Sequence, residues 1–403
     1  MSDSHSTLII GGAFRVVNGK YYVQKRSWEM LRIFSDQMLE PVFGMLRDQN
    51  DDTLAYPLPG TVQIVELPNA FGKVKLINTV FGRGLTPDIK RVIDTCCVVY
   101  LRQPLWECWD VFKYARSKGK KTIVSYHGDW PDALRKTEAG VLRHIFNICL
   151  AGFIHHTFKN MAWKSEIAFC VGEVLQAKYG VFAKNSVVFA NFLHASDDII
   201  ASRSLRTAPP YRILFVGGFE KYKGVGHLIR AAAILKQQGL EFSLVLVGAG
   251  SLEKELRALA KSEGVAENIE WMGYIQYGPE LMNVYRQADI FVLPSIASEG
   301  MAKVLMEAMT QGVPVIATDV GSSRRLLGNG EYGVIVQPAD ELMLAEVISS
   351  VLADPDIRTT YINNGFQLAR ISTKEKQAEI VRAGLEASVP ELIGTPPYLR
   401  SVD

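Results

Sequence analysis

A short apolar run that ends in glycine and opens into a helical pattern recurs along this chain, and few folds accommodate that rhythm. Ile213-Leu214-Phe215-Val216 ends in Gly217-Gly218, and a helical pattern then runs from Val225 to Gln238. Phe242 to Val247 ends in Gly248-Ala249-Gly250 and precedes a charged helix from Leu252 to Glu263. Ile269 to Met272, Ile290 to Leu293, Val313 to Ala317 and Gly333 to Val336 repeat the apolar run, with a helix from Glu280 to Gln287 between the first two. Strands that are apolar throughout, alternating with amphipathic helices, specify a parallel sheet covered on both faces.

The first half keeps the rhythm with longer interruptions. Thr7-Leu8-Ile9-Ile10 runs into Gly11-Gly12, and a helix is expected from Ser27 to Arg47. Further strands are expected at Val62 to Leu67, Val74 to Ile77, Cys97 to Leu101, Thr122 to Ser125 and Ile167 to Cys170. Residues 195–211 are polar, carry Pro209-Pro210 and read as a linker. Two doubly wound units follow, and their ligands are expected at the carboxyl ends of strands, in a cleft between domains.

Composition removes other classes. Of 403 residues, 48% are hydrophobic and 21% charged, which excludes a disordered chain or a disulfide scaffold. A net charge of +2 gives no support to bulk nucleic-acid binding, and no nucleic-acid partner is expected. Cys96, Cys97, Cys108, Cys149 and Cys170 form no C-x-x-C and read as reduced thiols. With neither a basic, long-cored leader nor an apolar stretch of about 18 residues, the expectation is a cytoplasmic protein. Charge is uneven: residues 1–196 hold 24 Lys+Arg and 17 Asp+Glu (+7), leaving 20 and 25 (−5) for residues 197–403.

Ser298-Glu299-Gly300-Met301-Ala302-Lys303-Val304-Leu305-Met306-Glu307 follows the strand ending Leu293-Pro294-Ser295. Gly300 permits a tight turn, a helix starts near Ala302, and the free N–H groups of its first turn form an anion site. Glu299 and Glu307 are eight residues apart, about 800° of helix or about 80° beyond two turns. They sit at different depths along one side of the cleft, one for a transferred group and one for a ribose. The bland alternative is an acid favouring the helix dipole plus a surface glutamate.

This segment resembles the E-x7-E signature of retaining glycosyltransferases of family 4, which have the GT-B fold. Val216-Gly217-Gly218-Phe219-Glu220-Lys221-Tyr222-Lys223-Gly224 is similar to the family's V-G-R-L-x-x-x-K-G loop. Val247-Gly248-Ala249-Gly250 is similar to its V-G-x-G strand end, Met272-Gly273-Tyr274-Ile275 to its base-holding segment, and Gly312 to Thr318 with Gly321 to its next strand and loop. The resemblance implies an α/β GT-B protein, two Rossmann-like doubly wound domains facing a cleft. Residues 1–196 would form the acceptor-side domain and 206–372 the nucleotide-sugar domain, with 373–403 returning to the first. It implies a retaining hexosyltransferase, metal-independent, moving a sugar from a UDP- or GDP-linked donor to a glycan, lipid-linked or small-molecule acceptor.

By the same resemblance, Lys223 binds the donor diphosphate, with Gly217 and Gly218 in its loop. Glu299 and His127 contact the donor sugar and Glu307 the ribose. The N–H groups of Met301, Ala302 and Lys303 cradle phosphate, Tyr274 and Ile275 border the base, and Gly11 and Gly12 let backbone approach the diphosphate. Asn191 is what remains of an N-G-V-D segment. No residue offers itself as a covalent nucleophile, so attack on the face of the departing phosphate is expected.

One departure stands out: the family places arginine where this chain has Gly218, with Lys221 three residues on. Two alternatives therefore stay open, a nucleotide-sugar epimerase of GT-B fold and a non-catalytic nucleotide-sugar-binding partner subunit. Asp354-Pro355-Asp356 spells a D-x-D metal motif but reads as a turn, and His155-His156 reads as a surface or packing pair. Lys113, Arg116, Lys118, Lys120 and Lys121, with the apolar stretch from Leu142 to Trp163, fit peripheral docking at the inner face of an anionic membrane. They fit equally well a solvated basic helix end and a core helix.

Overall fold

The apolar runs become strands, and the strands assemble into two parallel sheets. The structure is a computed structural model that describes residues 6–49, 54–67, 85–136, 141–297 and 301–393. Contacts divide the chain into two units: the first 193 residues together with those from Lys376 onward, and His194–Glu375.

In the first unit, β1 is Thr7–Val17, β2 Lys20–Val23, β3 Pro41–Arg47, β4 Tyr56–Pro57 and β5 Gln63–Leu67. Then come β6 at Val98–Gln103, β7 at Lys121–Tyr126, β8 at Ile167–Val171 and β9 at Ser186–Phe189. Among the described residues the parallel order is β5-β3-β1-β6-β7-β8-β9, with β2 and β4 added antiparallel to the far half of β1. Strand order reverses between β1 and β6, which is where ligands of such sheets bind.

Two expectations fail here for identifiable reasons. The helix expected over 27–47 is Lys25–Ser35 followed by β3. Pro41 disfavours the right-handed helical conformation at Glu40, which sits at φ 42°, so the chain leaves the helix and re-enters as a strand. Gly11-Gly12 is not a loop after a four-residue strand. β1 passes through both glycines, slipping register against β3 between Ile10 and Ala13. It continues to an Asn18-Gly19 turn at φ 50° and 75° that folds back into β2. The strand expected at Val74 to Ile77 lies outside the described residues.

In the second unit, β10 is Tyr211–Val216, β11 Phe242–Val247, β12 Ile269–Gly273, β13 Ile290–Leu293, β14 Val315–Thr318 and β15 Val334–Val336. The order β12-β11-β10-β13-β14-β15 is parallel throughout. Its core runs through Leu214, Phe215, Leu244, Phe291 and Ile316, all fully buried; each side chain so buried contributes about 1.5–3 kcal/mol. Here the reversal lies between β10 and β13.

The proline-bearing stretch before β10 is strapped to its own unit. Arg203 donates to the Gln311 carbonyl at 3.2 Å, Arg206 pairs with Asp289 at 3.1 Å, and the buried Arg358 donates to the Arg206 carbonyl at 2.9 Å. Helix Lys374–Ser388 seats on the first unit, where the position a Cβ would take on Gly384 is 2.9 Å from Val187 and 3.1 Å from Phe169. The Gln377 side chain accepts from the Ala190 N–H at 2.6 Å, Met38 bridges to Ile393, and Lys121 pairs with Glu391.

Candidate functional site

In the second unit the loops after β10, β11 and β13 meet at the strand-order reversal. The loop after β10 lies flat on the loop after β11: Gly217 N–H donates to Val247 O at 3.0 Å, Phe219 N–H to Ala249 O at 3.0 Å and Leu252 N–H to Phe219 O at 3.1 Å. Glycine makes that contact feasible, since a Cβ on Gly248 would sit 1.9 Å from the Gly217 oxygen and one on Gly250 2.6 Å from Phe219 backbone. Lys221–Lys223 then forms a single 3-10 turn, closed by Gly224 at φ 68°.

Gly224 presses against β13's exit. A Cβ there would lie 1.9 Å from the Pro294 carbonyl oxygen, and Ile296 N–H donates to Tyr222 O at 2.8 Å. The half-buried Lys223 is thereby fixed beside the segment leading into the predicted anion site, with Nζ 5.3 Å from the Tyr222 ring centroid. Gly218 is different. The nearest atom to its would-be Cβ is 3.8 Å away, so nothing steric excludes the arginine expected there.

Glu299 and Gly300 lie outside the described residues. The helix begins at Lys303 and runs to Thr310. Ala302 has the φ −75°, ψ 77° of an inverse γ-turn, in which Lys303 N–H donates to Met301 O at 2.9 Å. The Lys303 N–H, one of the three assigned to phosphate, is thus engaged inside the turn. Glu307 is no surface glutamate. It is 6% exposed, and one carboxylate oxygen accepts from the Tyr285 hydroxyl at 3.1 Å. A buried carboxylate must be hydrogen-bonded to be tolerated, and the Tyr285 hydroxyl supplies one such bond.

In the base-holding segment, Gly273 turns at φ 67°, its carbonyl accepts from Gly248 N–H at 2.8 Å, and Tyr274 is left exposed while Ile275 packs on the core. Asp319, after β14, is held below the usual carboxylate range by Arg324, which pairs with both its oxygens at 2.9 and 2.7 Å. Asp354 caps helix Pro355–Ile371 by accepting from Asp356 and Ile357 N–H, so the D-x-D spelling is structural.

In the first unit, β1, β6 and β7 bring together Gly11, Arg102 and His127. A Cβ on Gly12 would meet Met45 at 2.8 Å, and one on Gly11 would meet Leu31 at 3.1 Å and Arg102 at 3.3 Å. The half-buried His127 shares a hydrogen bond with Ser125 at 2.9 Å through Nε2 and stands edge-on to Phe189. Asp129 turns the other way, to Lys178 and the Tyr179 hydroxyl. Arg102 was not read from the sequence. Burial pushes its pKa down, and among the described residues no carboxylate or side-chain hydrogen bond answers its guanidinium. A charged residue closing an otherwise apolar strand next to Gln103-Pro104 was the available signal. Asn191 is buried, its side-chain oxygen unpartnered among the described residues.

The basic run is largely neutralised within the unit. Lys113 pairs with Asp110 at 2.9 Å, Arg116 with Glu166 at 3.6 Å, Lys118 with Asp94 at 3.5 Å and Lys121 with Glu391, while Lys120 donates to the Asp94 carbonyl. The other half of the docking expectation differs: helix Val141–Lys164 leaves Val141, Ile145, Ile148, Phe153 and Trp163 exposed. His155 packs against Tyr179. Burial raises the Cys96 thiol to about 11 and Cys170 to about 12, which disqualifies both as nucleophiles at neutral pH. Among the described residues no helix is long and apolar enough to cross a membrane, and no three His, Cys, Asp or Glu gather as metal ligands.

Residues 197–368 match the family described as Glycosyl transferases group 1. A phosphatidyl-myo-inositol mannosyltransferase of Mycobacterium leprae is 32% identical over 159 residues, 39% of this chain and 41% of that protein. An alpha-D-kanosaminyltransferase of Streptomyces kanamyceticus is 28% identical over 158 residues, 39% of this chain and 40% of that one. The chain thus spans about two fifths of the length of the curated relatives it matches. Among solved structures, Anabaena Alr3699/HepE with UDP and glucose superposes at a TM-score of 0.68, covering 95% of this chain and 100% of that one at 16% identity. The glycosyltransferase WaaG superposes at 0.64, covering 93% and 99% at 14% identity. Two Rossmann-like units and these superpositions establish the fold as GT-B, with residues 197–368 matching the Glycosyl transferases group 1 family.

Proposed function

We propose that the protein is a retaining glycosyltransferase of family 4 that takes a hexosyl group from a nucleoside diphosphate sugar, UDP- or GDP-linked, without a metal ion. One observation carries the reading. At the strand-order reversal of the second unit, the Lys221–Lys223 turn is locked to the exit of β13 by Gly224 and the Tyr222–Ile296 hydrogen bond. Lys223, at the exit of β13, supplies positive charge where a departing diphosphate would gain negative charge. Glu307, braced by Tyr285, has the burial and acceptor geometry suited to ribose hydroxyls. Glu299 and His127 are assigned to the donor sugar. Tyr274 and Ile275 flank the base. Attack on the face of the departing phosphate gives retention, with the phosphate accepting the acceptor's proton. Peripheral contact with an anionic membrane is assigned to helix Val141–Lys164.

The test is a panel of nucleotide sugars scored by thermal stabilisation, then by acceptor-dependent release of nucleotide with the anomeric configuration of the product read by NMR. A donor at a hundred times its dissociation constant adds about 2.7 kcal/mol. A panel without a stabilising member, or a product of inverted configuration, would refute the reading. Gly218 favours a second reading, a donor-binding subunit without turnover; tight donor binding with no release against any acceptor selects it.

A further inference from the structure

We infer that the first unit carries an oxyanion site of its own, centred on Arg102, that takes a carboxylate or phosphate borne by the acceptor sugar. The inference rests on the glycosyl-transfer reading and narrows its acceptor to an acidic one.

β6 is apolar and fully buried from Val98 to Leu101, and Arg102 breaks that pattern one residue before the strand ends. It is partly exposed, at the carboxyl edge of the sheet and beside the strand-order reversal between β1 and β6. Its stem lies across Gly11, since the place of a Cβ on that glycine is 3.3 Å from both Cβ and Cδ of Arg102. A side chain on β1 at that point would press on the arginine. Gly11 and Gly12 together oppose Met45 alone in β3, so one residue of the glycine pair stands outside the ladder next to that stem.

An arginine held this way calls for a counter-ion. Among the described residues no carboxylate, hydroxyl or carbonyl accepts from its guanidinium, whereas Lys178 is answered by Asp129. The Tyr100 phenol and the Cys108 thiol lie close by, but burial pushes the pKa of both up, and both are neutral at pH 7. A guanidinium drawn out of water without a partner is costly, and its planar fork is met best by two oxygens of one carboxylate or phosphate.

Register indicates which molecule brings the oxyanion. Arg102 pairs with Ser125 in β7, so the two side chains share one face of the sheet. The Ser125 hydroxyl is 2.9 Å from Nε2 of His127, the residue assigned to the donor sugar. Because the arginine stem leans toward β1, its guanidinium stands one to two strand spacings from β7, roughly 5–10 Å. The donor diphosphate is already assigned to Lys223 in the second unit. The oxyanion of the first unit therefore belongs to the other substrate, on the accepting sugar or its immediate neighbour.

The experiment labels the arginines of the full chain with nitrogen-15 and follows the Nε–H resonance of Arg102, identified by its loss in Arg102→Lys. Glucuronate, glucose 6-phosphate and methyl glucoside are titrated with and without UDP. One or both acids should shift the resonance saturably in either condition, and methyl glucoside should not; the tighter acid tells carboxylate from phosphate. Arg102→Met keeps the stem over Gly11 and removes the fork, so calorimetry should show acid binding weakened about tenfold and UDP affinity within about twofold of the parent. No shift with either acid would overturn the inference. So would a UDP affinity that falls about tenfold in Arg102→Met, which would give the arginine to the donor. The resonance of the parent chain decides the question even where Arg102→Met fails to fold. An acid-induced shift in a chain that binds no nucleotide sugar would keep the site and sink the transfer reading; donor binding without the shift would do the reverse.

Discussion

Replacing Gly224 with alanine tests the packing that holds the lysine turn. The residue sits at φ 68°, a conformation that costs an L-residue about 1–2 kcal/mol. The new Cβ would start 1.9 Å from the Pro294 oxygen, and such contacts essentially never fall below 3.0 Å, so carbonyl or turn must move by 1.1 Å (3.0 − 1.9). Overpacking of that order costs about 1–3 kcal/mol. The displaced carbonyl belongs to the segment whose Ile296 N–H bonds Tyr222 O, and losing that bond adds about 1 kcal/mol. Against this, alanine restricts the unfolded chain and returns about 0.5–1 kcal/mol. The net loss is about 3–5 kcal/mol. Trp271 is the tryptophan of the second unit, so urea unfolding followed through it, in a background with the other indoles replaced, isolates that unit. With a slope near 2 kcal/mol per molar, the midpoint should drop by about 1.5–2.5 M. Gly218→Ala, with 3.8 Å of clearance, should shift it little. A Gly224→Ala midpoint within a few tenths molar of the parent would show that the turn does not press on β13 as described.

Gly218→Arg should fold normally and raise turnover on a nucleotide sugar about tenfold, because a guanidinium adds a charge-assisted contact to the leaving diphosphate; unchanged kinetics in the folded variant would count against a diphosphate in this loop. Tyr285→Phe should weaken UDP binding about fivefold to tenfold by releasing Glu307 from its brace, a loss read by calorimetry, and equal affinity would detach Glu307 from the ribose. His194 is buried with Nε2 on the Ala369 carbonyl at 2.8 Å, and burial lowers its pKa. The unfolded chain then binds the proton more readily, so stability is full above about pH 6.5 and falls as pH drops toward the folded value. Melting temperatures of the second unit measured from pH 7.5 to 5.5 should show that decline, and His194→Gln should flatten it.

The second unit was nearly transparent in the sequence because its strands are buried on both faces and its turns need glycine for contact reasons local to the turn. Gly217, Gly224, Gly248 and Gly250 each announce a close approach that the backbone then makes. The first unit was opaque where the signal is two-sided. β3 hides in a run that also suits a helix until Pro41 is weighed, and β9 is only four residues long and half-buried. The Asn18-Gly19 dipeptide marks the β1–β2 turn openly. Arg102 and Tyr285 were invisible for another reason. Each matters through a neighbour contributed by a distant strand or helix, Gly11 and Glu307 respectively, and no local pattern encodes that meeting.

The first unit is discontinuous along the chain, and that sets an order of events during synthesis. Residues 376–393 leave the ribosome only after all of 194–375, so the second unit can finish folding while its predecessor still lacks a wall. Until helix Lys374–Ser388 emerges, the shelf of Ile167, Phe169 and Val187 that receives Gly384 stays uncovered, an apolar surface open to chaperones or to another nascent chain.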